Sequence, residues 1–341
     1  MNLKDIRDIA RNRLAGYCRV CPVCNGIACA GEVPGMGGSL TGSAFKDNVK
    51  DLGKVKLRLK TIHDVKDPIL DFNFLGTRLS LPAIIAPMMG MDINMGGAIT
   101  EKEYLDSIID GSLDSGTIAM TGGYDASPEM YELCLKTLNR ASGHGIPIVK
   151  PKQNSLIIES LKKAEETGVL AVGMDIDGAG LVTMRLQNIL VGPKTVKELG
   201  EIINSLVTPF ILKGVMTEEE AELAVDVGAR AIVVSNHGGR VLDHCQSTAR
   251  VLPEIANTVK GRIPILVDGG IRSGVDIFKM LALGADGVLI GRTILIGAVG
   301  GYKAGVSLVL EEMKNQLYQA MILTGSKDVY SINKSKISIE W

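Results

Sequence analysis

Aromatic side chains are scarce in this chain. Phe, Tyr and Trp together make up 4% of its 341 residues, with a single Trp. Platforms that stack nucleic-acid bases are built from such rings, so a single-strand-binding surface is not expected. An excess of positive charge is also missing. Lys and Arg number 37 against 38 Asp and Glu, a net charge of −1, and this gives a polyanion no field to follow. No run reaches the roughly 18 unbroken apolar residues of a membrane span. Residues 1–13 carry charges of both signs and lack the apolar stretch of a secretory signal. A cytoplasmic location is therefore expected. The glycine-rich turn that follows the first strand of dinucleotide-binding open sheets is absent as well.

What is there is ample apolar material, 46% of residues with 22% charged, enough for one large core. Residues 1–16 have the spacing of an amphipathic helix, with Leu3, Ile6, Ile9, Ala10 and Leu14 on one side. Residues 17–45 hold four cysteines, many glycines and few aliphatics, which predicts a long irregular segment. From Leu81 onward, short apolar runs alternate with helical patterns. The runs are 83–86, 117–120, 147–149, 171–176, 209–212, 231–234, 263–267 and 287–290. Helical patterns lie between them, as at 156–167, 218–227 and 275–283. Eight strand–helix units within about 250 residues predict an α/β fold of the (β/α)8 TIM barrel type. We expect residues 1–74 to form an N-terminal helix and Cys/Gly-rich segment packed on a barrel of residues 75–341.

In such a barrel the residues just after each strand converge on one face. Here they are Pro87, Met88, Met89 and Gly90 after the first strand, then Thr121, Gly122 and Gly123, then Lys150. The fourth strand ends in Asp175, Ile176, Asp177 and Gly178, and the fifth in Lys213 and Gly214. Ser235, His237 and Arg240 follow the sixth. The seventh gives Asp268, Gly269, Gly270, Ile271 and Arg272, and the eighth Gly291 and Arg292. Small residues with two arginines after strands seven and eight suit a phosphate. Lys213 ends an apolar strand, where a cation needs a ligand or a carboxylate partner such as Asp175 or Asp177. His237 offers an imidazole that can take a proton, and Arg240 can hold a carboxylate through two parallel hydrogen bonds. The sixth turn thus carries a base and a carboxylate clamp.

Cys18, Cys21, Cys24 and Cys29 crowd into one stretch, while Cys134 and Cys245 stand alone. The close spacing allows a metal such as zinc or an iron–sulfur cluster. Redox-active or substrate-facing thiols and plain structural cysteines are the other readings. No metal ligand set is assigned.

The stretch SNHGGRVLD at 235–243 resembles the signature of the FMN-dependent 2-hydroxy acid oxidases and dehydrogenases, such as glycolate and lactate oxidase. ILKGVMTEEEAELAVDVGARAIVVSNHGGR and ILVDGGIRSGVDIFKMLALGADGVLIGR are similar to that family's last four βα units. The chain is identified as a divergent member with an N-terminal cysteine cluster. The resemblance implies FMN as cofactor and a small carboxylic acid as substrate, oxidised from a 2-hydroxy to a 2-oxo acid. It implies that His237 is the base, Arg240 the carboxylate clamp and Asp177 the partner of the base. Lys213 would lie near the flavin N1–C2 carbonyl, Ser235 against the ring system, and Pro87 and Met88 along its face. Lys150 after the third strand joins the cofactor set. Asp268 would meet the ribityl chain, and Gly269, Gly270, Arg272, Gly291 and Arg292 the phosphate. A homo-oligomer is also implied.

Several positions depart from the family pattern. No tyrosine occurs around Val33–Gly38, Lys150-Pro151-Lys152-Gln153 follows the third strand, and Asp175 replaces a flavin-contacting threonine. Two alternatives share the cofactor. One is an FMN-dependent isomerase of the isopentenyl diphosphate type, which lacks the His-Gly-Gly-Arg turn. The other is a flavin electron carrier with a decayed substrate pocket. Inosine monophosphate dehydrogenases share the Asp-Gly-Gly-Ile-Arg loop but not His237 and Arg240.

Overall fold

The computed structural model describes residues 2–122 and 127–341. Gly123, expected at the face of the second strand, lies outside the described residues. Eight parallel strands form the central sheet: β1 (Ala83–Ile85), β2 (Met120–Gly122), β3 (Ile146–Val149), β4 (Val172–Asp175), β5 (Phe210–Val215), β6 (Ala231–Val234), β7 (Ile265–Val267) and β8 (Gly287–Ile290). Neighbours in sequence are neighbours in the sheet, and β8 pairs with β1. A bridge between Ile85 and Ala119, with Ile85 N–H donating to Ile118 O at 3.1 Å, joins the two ends. The sheet is therefore a closed barrel.

Period-two alternation explains why these runs form a barrel. Ile84, Ile211, Ala231, Val233, Leu266 and Leu289 belong to one buried cluster, inside the barrel. Their neighbours Ile85, Leu212, Ile232, Val234, Val267 and Val288 belong to a second cluster, between barrel and helices. Both faces are buried, so the strands read as unbroken apolar runs. A hairpin of Phe72–Phe74 and Thr77–Leu79 contributes Phe72, Phe74 and Leu79 to the inner cluster. Phe72 lies against Gly287 at the start of β8, so the hairpin closes the end opposite the functional face.

The second strand begins later than its apolar run. Thr117 Oγ1 donates to Ala83 O, and residues 118 and 119 are spent closing the barrel against β1. The ladder with β3 starts only at Met120. The first helix, Leu3–Arg13, packs on the long terminal helix Arg292–Thr324. That terminal helix is long and apolar enough to cross a membrane by composition alone. However, 67% of its most apolar stretch is buried within the fold, and Gly301 and Tyr302 break it into two helices. Residues 14–42 contain no helix or strand, as expected. The helix Ser43–Lys54 then begins, slightly inside the segment predicted to be irregular. Near the C-terminus, Ile337–Ile339 pairs antiparallel with Val55–Leu57.

Candidate active site

The turn after β6 is built from left-handed backbone. His237, Gly238 and Gly239 have φ of 57°, 63° and 80°. Histidine enters this region more readily than branched residues, at a cost of about 1–2 kcal/mol. Such strain is held where a side chain must be aimed. Gly239 has no substitute, because a Cβ there would lie 2.3 Å from the Phe45 backbone nitrogen. Its carbonyl accepts from Ser39 N–H at 2.9 Å, and its N–H donates to Asn236 Oδ1 at 3.1 Å. Asp243, further along, accepts from Thr41 and from Ala44 N–H. It thereby caps the start of the helix Ser43–Lys54, where exposed N–H groups favour an anion.

A charge network lies beneath this turn. Asp175 is buried, with Lys213 Nζ 2.7 Å from Oδ1 and Lys150 Nζ 2.5 Å from Oδ2. Burial works against its charge, but Lys150, Lys213 and His237 hold its pKa far below the ordinary carboxylate range. The opposite holds for Lys213. Burial disfavours the ammonium, and Asp175, Asp177 and Asp268 outweigh that and raise its pKa. Lys213 also donates to Ser235 Oγ at 3.1 Å, and Ser235 Oγ donates to Asp268 Oδ2 at 2.8 Å. His237 Nδ1 lies 3.2 Å from Asp177 Oδ1. That carboxylate fixes the proton on Nδ1 and leaves Nε2 as the acceptor toward the cleft. Asp175, Asp177 and His237 bring their ligand atoms within 4.8 Å of one another. The two lysines already neutralise Asp175, so the group reads as a proton and charge network rather than a metal site.

Three arginines surround the other end, and one segment ties them together. Arg240 donates to Gly35 O and to Asn94 Oδ1, the latter at 2.8 Å. Arg292 donates from Nε to Met36 O at 2.9 Å and from Nη1 to Gly238 O at 3.1 Å. Its guanidinium lies 3.8 Å from the centre of the Phe45 ring. Arg272 Nε donates to Cys24 O at 3.1 Å. The irregular segment thus turns its carbonyls toward the site cations. Burial lowers the Arg292 pKa to about 9, with Arg272 beside it as the next cause. Burial also lowers that of Arg240 to about 10.

The arginines, His237, Lys213 and Lys150 line one cleft, together with Pro87, Met88, Gly270 and Gly291. Among the described residues, three buried polar atoms in or just behind it have no hydrogen-bond partner: Asp268 Oδ1, Arg272 Nη2 and, behind His237, Asp177 Oδ2. Burial raises the Asp268 pKa, with Lys213 and Ser235 offsetting part of the effect. An orphaned acceptor at Asp268, an orphaned donor at Arg272 and two close guanidiniums leave the cleft short of hydroxyls and of an anion. Gly270, with φ 82°, packs so closely on Asn48 that a Cβ would sit 2.4 Å from its carbonyl oxygen. The backbone there is bare toward the cleft. This set fits FMN, whose ribityl chain brings hydroxyls and whose phosphate brings the anion.

The cleft brings together His237, Arg240, Lys213, Lys150, Pro87, Met88, Asp268, Gly269, Gly270, Arg272, Gly291 and Arg292. Ser235 and Asp177 stand behind it, bonded to Lys213 and His237. Sequence reasoning missed the layer beneath. Asn48 and Asn236 bond each other twice, at 2.8 and 3.1 Å, and Thr248 Oγ1 donates to Asp268 O at 2.6 Å. Asn94 sits on the short helix Met91–Met95. No local pattern marks these residues, because their partners are distant in sequence.

Comparison with known proteins agrees with this geometry. The profile of the FMN-dependent dehydrogenases matches residues 36–190 and 182–339. The 2-hydroxyacid oxidase of Dictyostelium discoideum is 32% identical over 324 residues, covering 85% of this chain and 81% of that protein. The L-lactate dehydrogenase of Caulobacter vibrioides is 50% identical over 127 residues, 37% of this chain and 33% of that one. A crystal structure of mandelate oxidase with (S)-2-phenylpropionate superposes with a TM-score of 0.80 at 25% identity, covering 99% of this chain and 98% of that one. The isomerase and carrier alternatives find no support in these matches. With the profile spanning nearly the whole barrel and the cleft matching its cofactor, this chain belongs to the family of FMN-dependent dehydrogenases.

Proposed function

We propose that this dehydrogenase oxidises a small 2-hydroxy acid to the 2-oxo acid. The observation that carries the reading is the β6 turn, which sets His237, backed by Asp177, three residues from Arg240. Arg240 clamps the substrate carboxylate. His237 Nε2 takes the proton of the 2-hydroxyl, and Asp177 stabilises the imidazolium that results. FMN, when bound, supplies the acceptor for the two electrons. Asp268 would hold its ribityl hydroxyls, and Gly269, Gly270, Arg272, Gly291 and Arg292 its phosphate. Ser235, Lys213, Lys150, Pro87 and Met88 would hold the ring. Lys213 keeps a fixed positive charge at that end, which Asp175 maintains.

The cleft also presents Met36, Met89, Ile93, Leu181 and Met184. These apolar walls favour an acid with an apolar substituent over glycolate. The test is anaerobic addition of 2-hydroxy acids of graded chain length to the FMN-loaded protein, followed by flavin absorbance. Bleaching by one group of acids, lost in His237→Ala, is the expected result. A bound flavin that no 2-hydroxy acid bleaches would sink the proposal.

A further inference from the structure

The cysteine segment has no part in this chemistry, yet it lies against it. We propose that Cys18, Cys21, Cys24 and Cys29 ligate an iron–sulfur cluster that carries electrons from the FMN site to an external one-electron carrier. The electron-transfer role rests on the dehydrogenase reading above, while the cluster itself does not.

Four observations on the segment support the site. The first is the geometry of the Cys18–Cys21 loop. Val20 N–H donates to Cys18 Sγ at 3.4 Å. Val20 reaches that position through φ 45°, an outlier for a β-branched residue. The strained turn brings a backbone donor onto the Cys18 sulfur. Hydrogen bonds to sulfur are one of the protein's means of tuning a thiolate-bound cluster. Arg7 and Arg11 of the first helix hold this bend by donating to Val20 O, at 3.4 and 3.3 Å.

The second observation is proximity. All four thiols lie in one short stretch of the irregular segment, half-buried and free of disulfides. The third concerns size. A tetrahedral zinc with Zn–S bonds of about 2.3 Å needs its sulfurs within roughly 4 Å of one another. Among the described residues, no three of these sulfurs lie within 4.8 Å. That arrangement does not fit a single tetrahedral zinc.

The fourth is location. Arg272 Nε donates to the carbonyl of Cys24, and Arg292 Nε to that of Met36 further along the same segment. The cysteine segment thus adjoins the cations of the cofactor cleft. The segment has little core of its own, with Val23 and Ile27 64% and 66% exposed, so a ligated cluster would also supply its missing crosslink.

The electron balance is simple. Each 2-hydroxy acid gives up two electrons and two protons to become the 2-oxo acid. The cluster passes the electrons singly, so two molecules of a one-electron carrier are reduced per turnover, and the protons go to solvent.

The test begins with the full chain, purified anaerobically and reconstituted with ferrous iron and sulfide. We expect about four iron and four sulfide per chain, broad visible absorbance beside the flavin bands, and a paramagnetic signal on reduction by dithionite. Cys18→Ser and Cys24→Ser should each lose iron, sulfide and signal while keeping bound FMN. With substrate present, these variants should still bleach the flavin but reduce a one-electron dye at least about tenfold more slowly. Zinc in place of iron, or no metal after reconstitution, overturns the proposal. Unchanged dye reduction in cluster-free variants overturns the relay. Failure of substrate to bleach the flavin in any form would instead count against the 2-hydroxy acid reading, leaving the iron and sulfide analysis to judge the cluster alone.

Discussion

His237 Nδ1 stands 3.2 Å from Asp177 Oδ1 across the mouth of the barrel, joining the ends of β6 and β4. The pairing sets which ring nitrogen carries the proton. Asp177→Asn should preserve the fold and FMN binding but let the amide hold the imidazole in the wrong tautomer. We expect kcat to fall by roughly 10²–10⁴-fold, with KM changed far less. Rapid-reaction measurement of flavin reduction checks this, and a loss below about threefold would remove Asp177 from its role.

Lys213 makes a separate prediction, about charge rather than proton transfer. Its side chain is 4% exposed and that of Asp175 1%. Lys213→Met would leave Asp175 with Lys150 as its lysine partner and take from Asp268 the ammonium that lies 3.7 Å from its Oδ2. Breaking a buried pair from one side costs about 3–5 kcal/mol, read as a lower urea midpoint. FMN should also bind more weakly, as followed by fluorescence titration. Unaltered stability and affinity would mean that the network is redundant.

Much of this arrangement was legible in the sequence. Seven of the eight apolar runs fell on barrel strands, and the second met its strand only at Met120, because both faces of each strand are buried, which leaves a signal that needs no partner. The residues after β4 to β8 were readable for a related reason, since a polar residue at the end of such a run meets either the cleft or the charge network beneath it. Asn94, Phe45 and Asn48 were not readable. Phe45 lies under Arg292 and Asn48 under Gly270 only because the segment preceding them folds back over the barrel mouth. Nothing within several residues of either announces that contact. The hairpin of Phe72–Phe74 and Thr77–Leu79 was also missed, because its strands are three residues each and too short for alternation to register.

Glu101 links pH to stability. It lies under the β1 loop, where its Oε2 accepts from Gly90 and Met91 N–H at 3.1 and 2.9 Å. Burial raises its pKa to about 7, and the two backbone bonds offset part of that. A raised carboxyl pKa means that the folded state favours the protonated form. Its contribution is therefore full below the ordinary glutamate value and is lost as pH rises through about 7. The loss amounts to about 3 kcal/mol. Glu101→Gln stays neutral and can keep accepting both bonds. Urea unfolding should show the variant gaining on the parent between pH 5 and pH 8. A pH-independent difference would mean that Glu101 does not titrate in this range.

Gly239 and Gly261 separate crowding from backbone strain. Both have positive φ, 80° and 72°, but a Cβ at Gly261 meets nothing within 4 Å, whereas at Gly239 it meets the Phe45 nitrogen at 2.3 Å. Gly261→Ala should carry only the left-handed penalty, about 1 kcal/mol. Gly239→Ala must also push the helix Ser43–Lys54 away from the β6 turn. That displacement moves Phe45 from beneath Arg292 and loosens the bond from Ser39 N–H to the Gly239 carbonyl. We expect a stability loss of at least about 3 kcal/mol, together with a higher Kd for FMN that Gly261→Ala does not share. Equal losses in the two variants would show that the close approach of the helix contributes nothing to holding the turn.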